Sequence, residues 1–331
     1  MRIPRVFLKV DGSDQFFHLI SRVANKQFLL NDRAKMVFIS YLRRYEAFSG
    51  CQVLTYCLMD NHFHLLLKVP KRPDSIPCEE VERRLTHIMN DTKMQSVRTK
   101  IELLSTVEDQ SELESYLDTF RKRMFDLSFF MKDLKQRFTQ WYNHEFEHEG
   151  TLWESRFTSI IVSNSSQALL RVASYIDLNP VRAGMVEDPA DYPWGIFGDY
   201  KTGPAHFRNL CQCLGETDHS IWRGMSESDF FKKYHQRLKL IIGLDRHNNI
   251  ASLTAASLEG VSQPKEKQEN EVKPTHAASG ATGKQISQDS AASLEEGIHL
   301  NQGQEQFNSA HNLDMNEYLG FSIRKQSHLY R

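Results

Sequence analysis

The stretch "YCLMDNHFHLLLKV", residues 56–69, holds two histidines one residue apart inside an otherwise apolar run. Successive side chains of a strand alternate faces, so His62 and His64 project from one face, roughly 6.6 Å apart along the strand. Two imidazoles so placed can share a divalent metal ion or jointly grip a phosphate. The plain alternative is a pair of hydrogen-bonded sheet residues with no further role. Polarity is costly next to "LLL", and that cost favours a working pair. A second feature is "SYIDLNP", residues 174–180. On a helix, Tyr175 and Asn179 are four residues apart and share a face. A tyrosine hydroxyl is a nucleophile toward phosphorus or carbon when a metal or base assists it. An asparagine amide oxygen suits a hard ion such as Mg²⁺ or Mn²⁺. The alternative makes Tyr175 a core aromatic and Asn179 a cap before Pro180. Leu169, Val172, Ala173, Ile176 and Leu178 can supply a core face without Tyr175. Two histidines and an asparagine then form a three-ligand site with open positions, beside a tyrosine.

These residues need elements to hold them. "FFHLISRVAN" (16–25) alternates apolar and polar residues and reads as a strand. Residues 31–50 read as a helix, started by Asn31 or Asp32 and ended by Gly50. Residues 51–59 and 62–69 read as two strands joined by Asp60-Asn61, a hairpin signal. Strand, helix and hairpin make half of a ferredoxin-like α+β arrangement. A weaker helix is expected over 79–98, and a long one over 111–146, where apolar residues from Leu113 to Trp141 recur every three or four positions. A short strand over 157–162 and a helix from Ser165 or Ser166 to Asn179-Pro180 follow. Residues 188–200 close this part as a loop punctuated by proline and glycine.

The chain has 331 residues, enough for about two domains, and a net charge of −1. The charge is unevenly spread: residues 1–100 carry 17 Lys and Arg against 10 Asp and Glu, a surplus of 7. Residues 101–119 carry Glu102, Glu108, Asp109, Glu112, Glu114 and Asp118 and no base. The basic front segment is compatible with a polyanionic partner. Five cysteines without a CxxC pair read as reduced thiols. With no signal-peptide core and no membrane span, the expected location is the cytoplasm, on the nucleoid when bound to DNA. Residues 201–250 read as a small helical extension. Residues 251–331, rich in Ser, Gln, Glu, Gly and Lys, read as a low-complexity, mostly disordered tail.

"YCLMDNHFHLLLKVP", "LKQRFTQWYNHEFEHEGTLWESRF" and "SYIDLNPVRAGMVEDPADYPW" together resemble the REP-associated tyrosine transposases, of the insertion sequence 200/605 group of HUH single-strand transposases. The likeness spans about residues 15–200, in order and with gaps. It implies a transposase domain over 1–200 with a ferredoxin-like antiparallel sheet packed with helices. A helical insert at about 75–125 and the extension after 200 stand outside the shared pattern. The likeness assigns His62 and His64 as the HUH pair, Phe63 as its hydrophobic residue, Tyr175 as nucleophile and Asn179 as third metal ligand. The implied reaction cleaves and rejoins single-stranded, hairpin-flanked DNA through a 5′-phosphotyrosine, with Mg²⁺ or Mn²⁺. No ATP motif is expected, since strand exchange conserves the phosphodiester energy.

Single-stranded DNA would be held by cations and aromatic faces. The candidates are Arg22, Arg43, Arg44, Lys68, Arg137, Arg156 and Arg182, with Trp141 and Tyr142. For Arg43 and Arg44 the bland reading is a solvated helix face, and for Trp141 the core. Glu154, in the turn "GTLWESRF", is expected to stabilise the turn. A homodimer is possible, and no membrane is expected. Two other functions compete: a domesticated protein that binds DNA hairpins without cutting, and a metal-dependent hydrolase that uses the histidines alone.

Overall fold

A computed structural model describes residues 12–198, 205–217 and 222–259. Four antiparallel strands form one sheet: β1 (Gln15–Arg22), β2 (Gln52–Leu58), β3 (His62–Val69) and β4 (Thr158–Val162), in the order β2-β3-β1-β4. The two central strands, β1 and β3, pair along their whole length from Gln15↔Val69 to Arg22↔His62. With helix α1 (Asp32–Ser49) crossing from β1 to β2, this is the ferredoxin-like order expected from the sequence. Every residue of β3 is buried, as a central strand covered on both faces must be.

The two faces carry different side chains because the period of a strand is two. Phe63, Leu65 and Leu67 point to one face, where Phe63 meets Phe38 of α1 with ring centroids 4.7 Å apart. Helix α5 (Leu127–Glu145) completes that layer, and its Phe138 packs edge-on to Phe38 at 5.1 Å. His62, His64 and Leu66 point to the other face, beneath helix α6 (Ser166–Asp177). Capping follows the sequence closely. Asn31 accepts from the Ala34 N–H, and Ser165 accepts from the Ala168 N–H. Gly50 ends α1 with φ at 76°, and a Cβ there would lie 2.6 Å from the Phe125 ring. That turn therefore needs glycine twice over, for its backbone and for its space.

Between β3 and β4 the helices break where periodicity does not show it. The expected 79–98 helix is two, α2 (Cys78–Leu85) and α3 (Asp91–Ser105), with Asn90 capping the second through the Lys93 N–H. The expected 111–146 helix is also two, α4 (Ser111–Arg121) and α5. At this joint Phe125 takes φ of 53° and its N–H bonds the Ser49 carbonyl at 2.7 Å. Asp126 then caps α5. Met124 and Leu127 flank the joint and are both buried, so the apolar spacing runs through a break that it cannot reveal. Helices α2–α4 close a core of their own around Phe48, Val81, Leu85, Val97 and Leu117.

After α6 come a helical turn α7 (Asn179–Arg182), α8 (Ala205–Thr217) and α9 (Glu227–Glu259). Among the described residues, those up to Leu238 form one compact unit, and those from Lys239 on belong to a second. Within the first unit α8 lies along β2. The Leu58 N–H bonds the Trp194 carbonyl at 2.9 Å, so residues 194–195 cover the end of β2's outer edge. Helix α9 continues past residue 250 into the stretch expected as tail. The rest of that tail, 260–331, lies outside the described residues. All five cysteines are free thiols. Among the described residues no helix is long and apolar enough to cross a membrane.

Candidate active site

The site is built on the α6 face of the two central strands. The His62 and His64 rings stand edge to face, centroids 5.0 Å apart. Each has one ring nitrogen tied to a neighbour. The Nδ1 of His62 is 2.6 Å from the Asn61 amide oxygen. Asn61 is itself pinned, since its amide nitrogen donates to the Lys26 carbonyl and its own carbonyl accepts from the Val23 N–H. An amide oxygen only accepts, so His62 Nδ1 carries the proton and Nε2 keeps its lone pair in the neutral ring.

His64 meets a third histidine, which the sequence reading passed over. The Nε2 of His18, on β1, lies 3.0 Å from His64 Nδ1, and the two rings stack with centroids 5.2 Å apart. The donor in this bond depends on which ring holds the proton; with His64 donating, its Nε2 too is left with a lone pair. His18 was passed over because one polar residue in an alternating strand is ordinary. Its only sequence signal is its parity with Arg22, four residues on along β1.

Tyr175 descends from α6 onto this pair. Its ring is 5.8 Å from both His64 and His18, edge-on to each, and only 1% of its surface is exposed. Asn179 follows one turn later, fully buried. Its amide nitrogen donates to the carbonyls of Tyr175 and Ile176, at 3.0 and 3.2 Å. That fixes the orientation of the amide, and its buried Oδ1 has no hydrogen-bond partner among the described residues. A buried acceptor without a donor is costly, and a cation is the ligand such an oxygen suits. Two imidazoles with Nδ1 engaged and an amide oxygen without a hydrogen-bond partner are donor types that suit a divalent ion. Among the described residues no three His, Cys, Asp or Glu side chains are grouped to hold a metal.

A buried carboxylate anchors the helix that carries Tyr175. Asp177 accepts from the Thr55 hydroxyl on β2 and, at 2.6 Å, from the Tyr234 hydroxyl on α9. Burial raises its pKa to about 7, against the lowering effect of the two hydroxyl donors. Tyr234 lies in the same unit as the sheet, so β2, α6 and α9 meet at one side chain.

The expected DNA-contacting cations divide. Arg22 sits directly opposite His62 across the β1–β3 ladder and so shares its face. Arg182 places its guanidinium 5.6 Å from the Tyr175 ring centroid. Arg156 is exposed in the loop that leads to β4. The others lie elsewhere. Lys68 is buried, with its ammonium 2.9 Å from Asp14 and 3.4 Å from Glu216. Burial works to lower its pKa, but Asp14 outweighs that and raises it; its charge is balanced within the fold. Arg43 bonds Glu46 and covers the Tyr56 ring, while Arg44 donates to the His87 carbonyl. Arg43 and Arg44 on α1, and Arg137 on α5, belong to the helical layer on the far side of the sheet from the histidines. Tyr142 is a core residue whose hydroxyl bonds the Leu29 carbonyl, and Trp141 packs against Phe138 and Phe146. Glu154 is exposed, and its N–H bonds the Arg22 carbonyl at 3.0 Å, a turn contact as expected.

No curated protein matches the sequence. A solved structure described as "Structure of the REP associates tyrosine transposase bound to a REP hairpin" aligns with 61% of this chain and 87% of that chain, at 13% identity and a TM-score of 0.35. Residues 13–99 match the family model described as "Transposase IS200 like". The match takes in β1, α1, β2, β3 and the histidine pair and ends before Tyr175. Over that segment, which carries β1 and β3 of this site, the chain is similar to the IS200-like transposases.

Proposed function

We propose that the protein is a DNA strand transferase that cuts and rejoins single-stranded, hairpin-flanked DNA through Tyr175. The observation that carries this reading is the convergence of Tyr175 and the H-x-H pair across 111 residues of sequence, with ring centroids of Tyr175 and His64 5.8 Å apart. In this reading the Tyr175 hydroxyl attacks phosphorus in line. A bond forms from the phenolic oxygen to phosphorus as the bond to the 3′ oxygen breaks. The phenolic proton ends on the leaving oxygen, giving a 5′-phosphotyrosine and a free 3′-hydroxyl. The step is reversible because one ester replaces another. His62, His64 and Asn179 would hold Mg²⁺ or Mn²⁺, which when bound supplies Lewis-acid polarisation of the phosphate. Asn61 and His18 orient the two imidazoles. Arg182 lies over the Tyr175 ring, where a cation favours negative charge on the phenol. Arg22 stands beside His62, where it can meet a phosphate oxygen.

Labelled hairpin DNA with single-stranded tails, incubated with Mn²⁺ and boiled in SDS, tests this. The expected result is a covalent adduct that disappears in Tyr175→Phe. The burial of Tyr175 favours a second reading, hairpin binding without cleavage, because a phosphate must displace something to reach the hydroxyl. Binding with no adduct would support that one. Product release unaffected by Tyr175→Phe would instead mean a hydrolase that uses the histidines alone.

A further inference from the structure

We propose that Lys35 is a positioning residue for His62, acting through Asp60 and Asn61 in the turn between β2 and β3. The proposal rests on the strand-transferase reading, in which His62 holds the metal, and deepens it by naming what holds His62. Lys35 lies one helical turn before Phe38 on the buried face of α1, and its side chain is only 4% exposed. Its ammonium donates to the Asp60 carboxylate. The rings of Tyr192 and Trp194 stand beside the same ammonium, their centroids 5.9 and 5.8 Å away. A buried charge is costly unless it is paired, and an apolar side chain of similar length would fill this place without that cost. What the charge adds over packing is direction, because it holds one carboxylate at one place.

That place is the turn next to the site. On its β1 side, the carbonyls of Asp60 and Asn61 accept from the Leu30 and Val23 N–H groups at 2.9 and 2.8 Å. On its β2 side, residues 192–194 fasten the end of the strand. The Tyr192 hydroxyl donates to the Leu58 carbonyl, and the Leu58 N–H bonds the Trp194 carbonyl at 2.9 Å. Lys35 joins the two sides, since its ammonium is tied to Asp60 and packed by the two rings that flank Leu58. Residues 192–194 belong to the closing loop, which the proposed chemistry does not otherwise use. Asn61 comes next in the chain, and its amide oxygen lies 2.6 Å from His62 Nδ1. Helix α1 covers the face of the sheet opposite the histidines, so the turn at the sheet's end is where this layer can act on the site.

The test uses the full chain without DNA. Long-range ¹H–¹⁵N correlation spectra of protein with ¹⁵N-labelled histidine rings read which nitrogen of each ring holds the proton. They are recorded at about pH 8, where an ordinary histidine is neutral, and His62→Ala identifies the His62 signals. In wild type His62 should carry its proton on Nδ1. In Lys35→Met the His62 signals should shift toward a mixture of both tautomers, with those of His18 and His64 unmoved. Mn²⁺ affinity, read by electron paramagnetic resonance, should fall about tenfold in the same variant. Asp60→Asn, at a side chain 41% exposed, should do the same, and it carries the test if Lys35→Met does not fold. The double variant should lose no more than either single one, because both act along one path.

His62 signals that stay as in wild type, an unchanged Mn²⁺ affinity, or additive losses in the double variant would each overturn the positioning role. A lowered melting temperature with the tautomer intact would make Lys35 a structural residue only. The strand-transferase reading is judged apart, by the Tyr175-dependent adduct of the wild type. It stands if the adduct forms, whatever Lys35 does, and it falls without the adduct even where the His62 signals shift as expected. A wild type that binds no Mn²⁺ overturns both.

Discussion

At the scale of single residues, the site depends on which ring nitrogen faces outward. Asn61 settles this for His62, and His18 can settle it for His64, by engaging the Nδ1 positions. Replacing such an orienting partner commonly costs 10- to 100-fold in metal affinity. His18→Phe should therefore weaken Mn²⁺ binding by about that factor, read by electron paramagnetic resonance titration of the protein without DNA. An unchanged affinity would reduce His18 to filler. The histidine pair was legible in the sequence because strand parity alone puts both rings on one face. The partner of His64 was not, because 46 residues separate it from His18 and only the β1–β3 register brings them together. Asn179 was legible as a ligand type, but the orientation of its amide comes from the carbonyls of Tyr175 and Ile176, one helical turn behind it.

At the scale of elements, the helix that carries Tyr175 is held by Asp177 as well as by its apolar face. The carboxyl titrates near 7 in the fold against an ordinary value of 3.8. The folded state therefore binds more protons than the unfolded state between these values, and this group's contribution falls as pH rises from about 4 to about 7. In metal-free protein, Asp177→Asn should remove that slope. The melting temperature of wild type relative to the variant should drop across the window, measured by circular dichroism in EDTA. A parallel pair of curves would mean that Asp177 is not buried as described. Strands, caps and the Gly50 stop were readable from local chemistry. The joints at 86–90 and 122–126 were not, since buried apolar residues on both sides keep a common spacing through the break.

At the scale of the whole molecule, the C-terminal helices are part of the fold that presents Tyr175. Phe207, Phe230 and Tyr234 are buried to 1% exposure or less, and losing each side chain costs about 3–5 kcal/mol. Together that is comparable to the 5–15 kcal/mol that holds a typical domain. A chain ended after Pro204 should show no cooperative thermal transition by calorimetry; a sharp transition would make α8 and α9 an appendage. Composition identified this segment as helical but gave no sign that it closes over β2, because the docking residues are spread over two helices with no motif of their own. The tether from Thr55 to Asp177 spans 122 residues of sequence, and that span has a consequence during synthesis. At about 5–20 residues per second, the ribosome finishes Thr55 on β2 some 6–24 s before Asp177 of α6 is made. A nascent chain thus carries its histidine pair before the helix that bears Tyr175 exists to cover it.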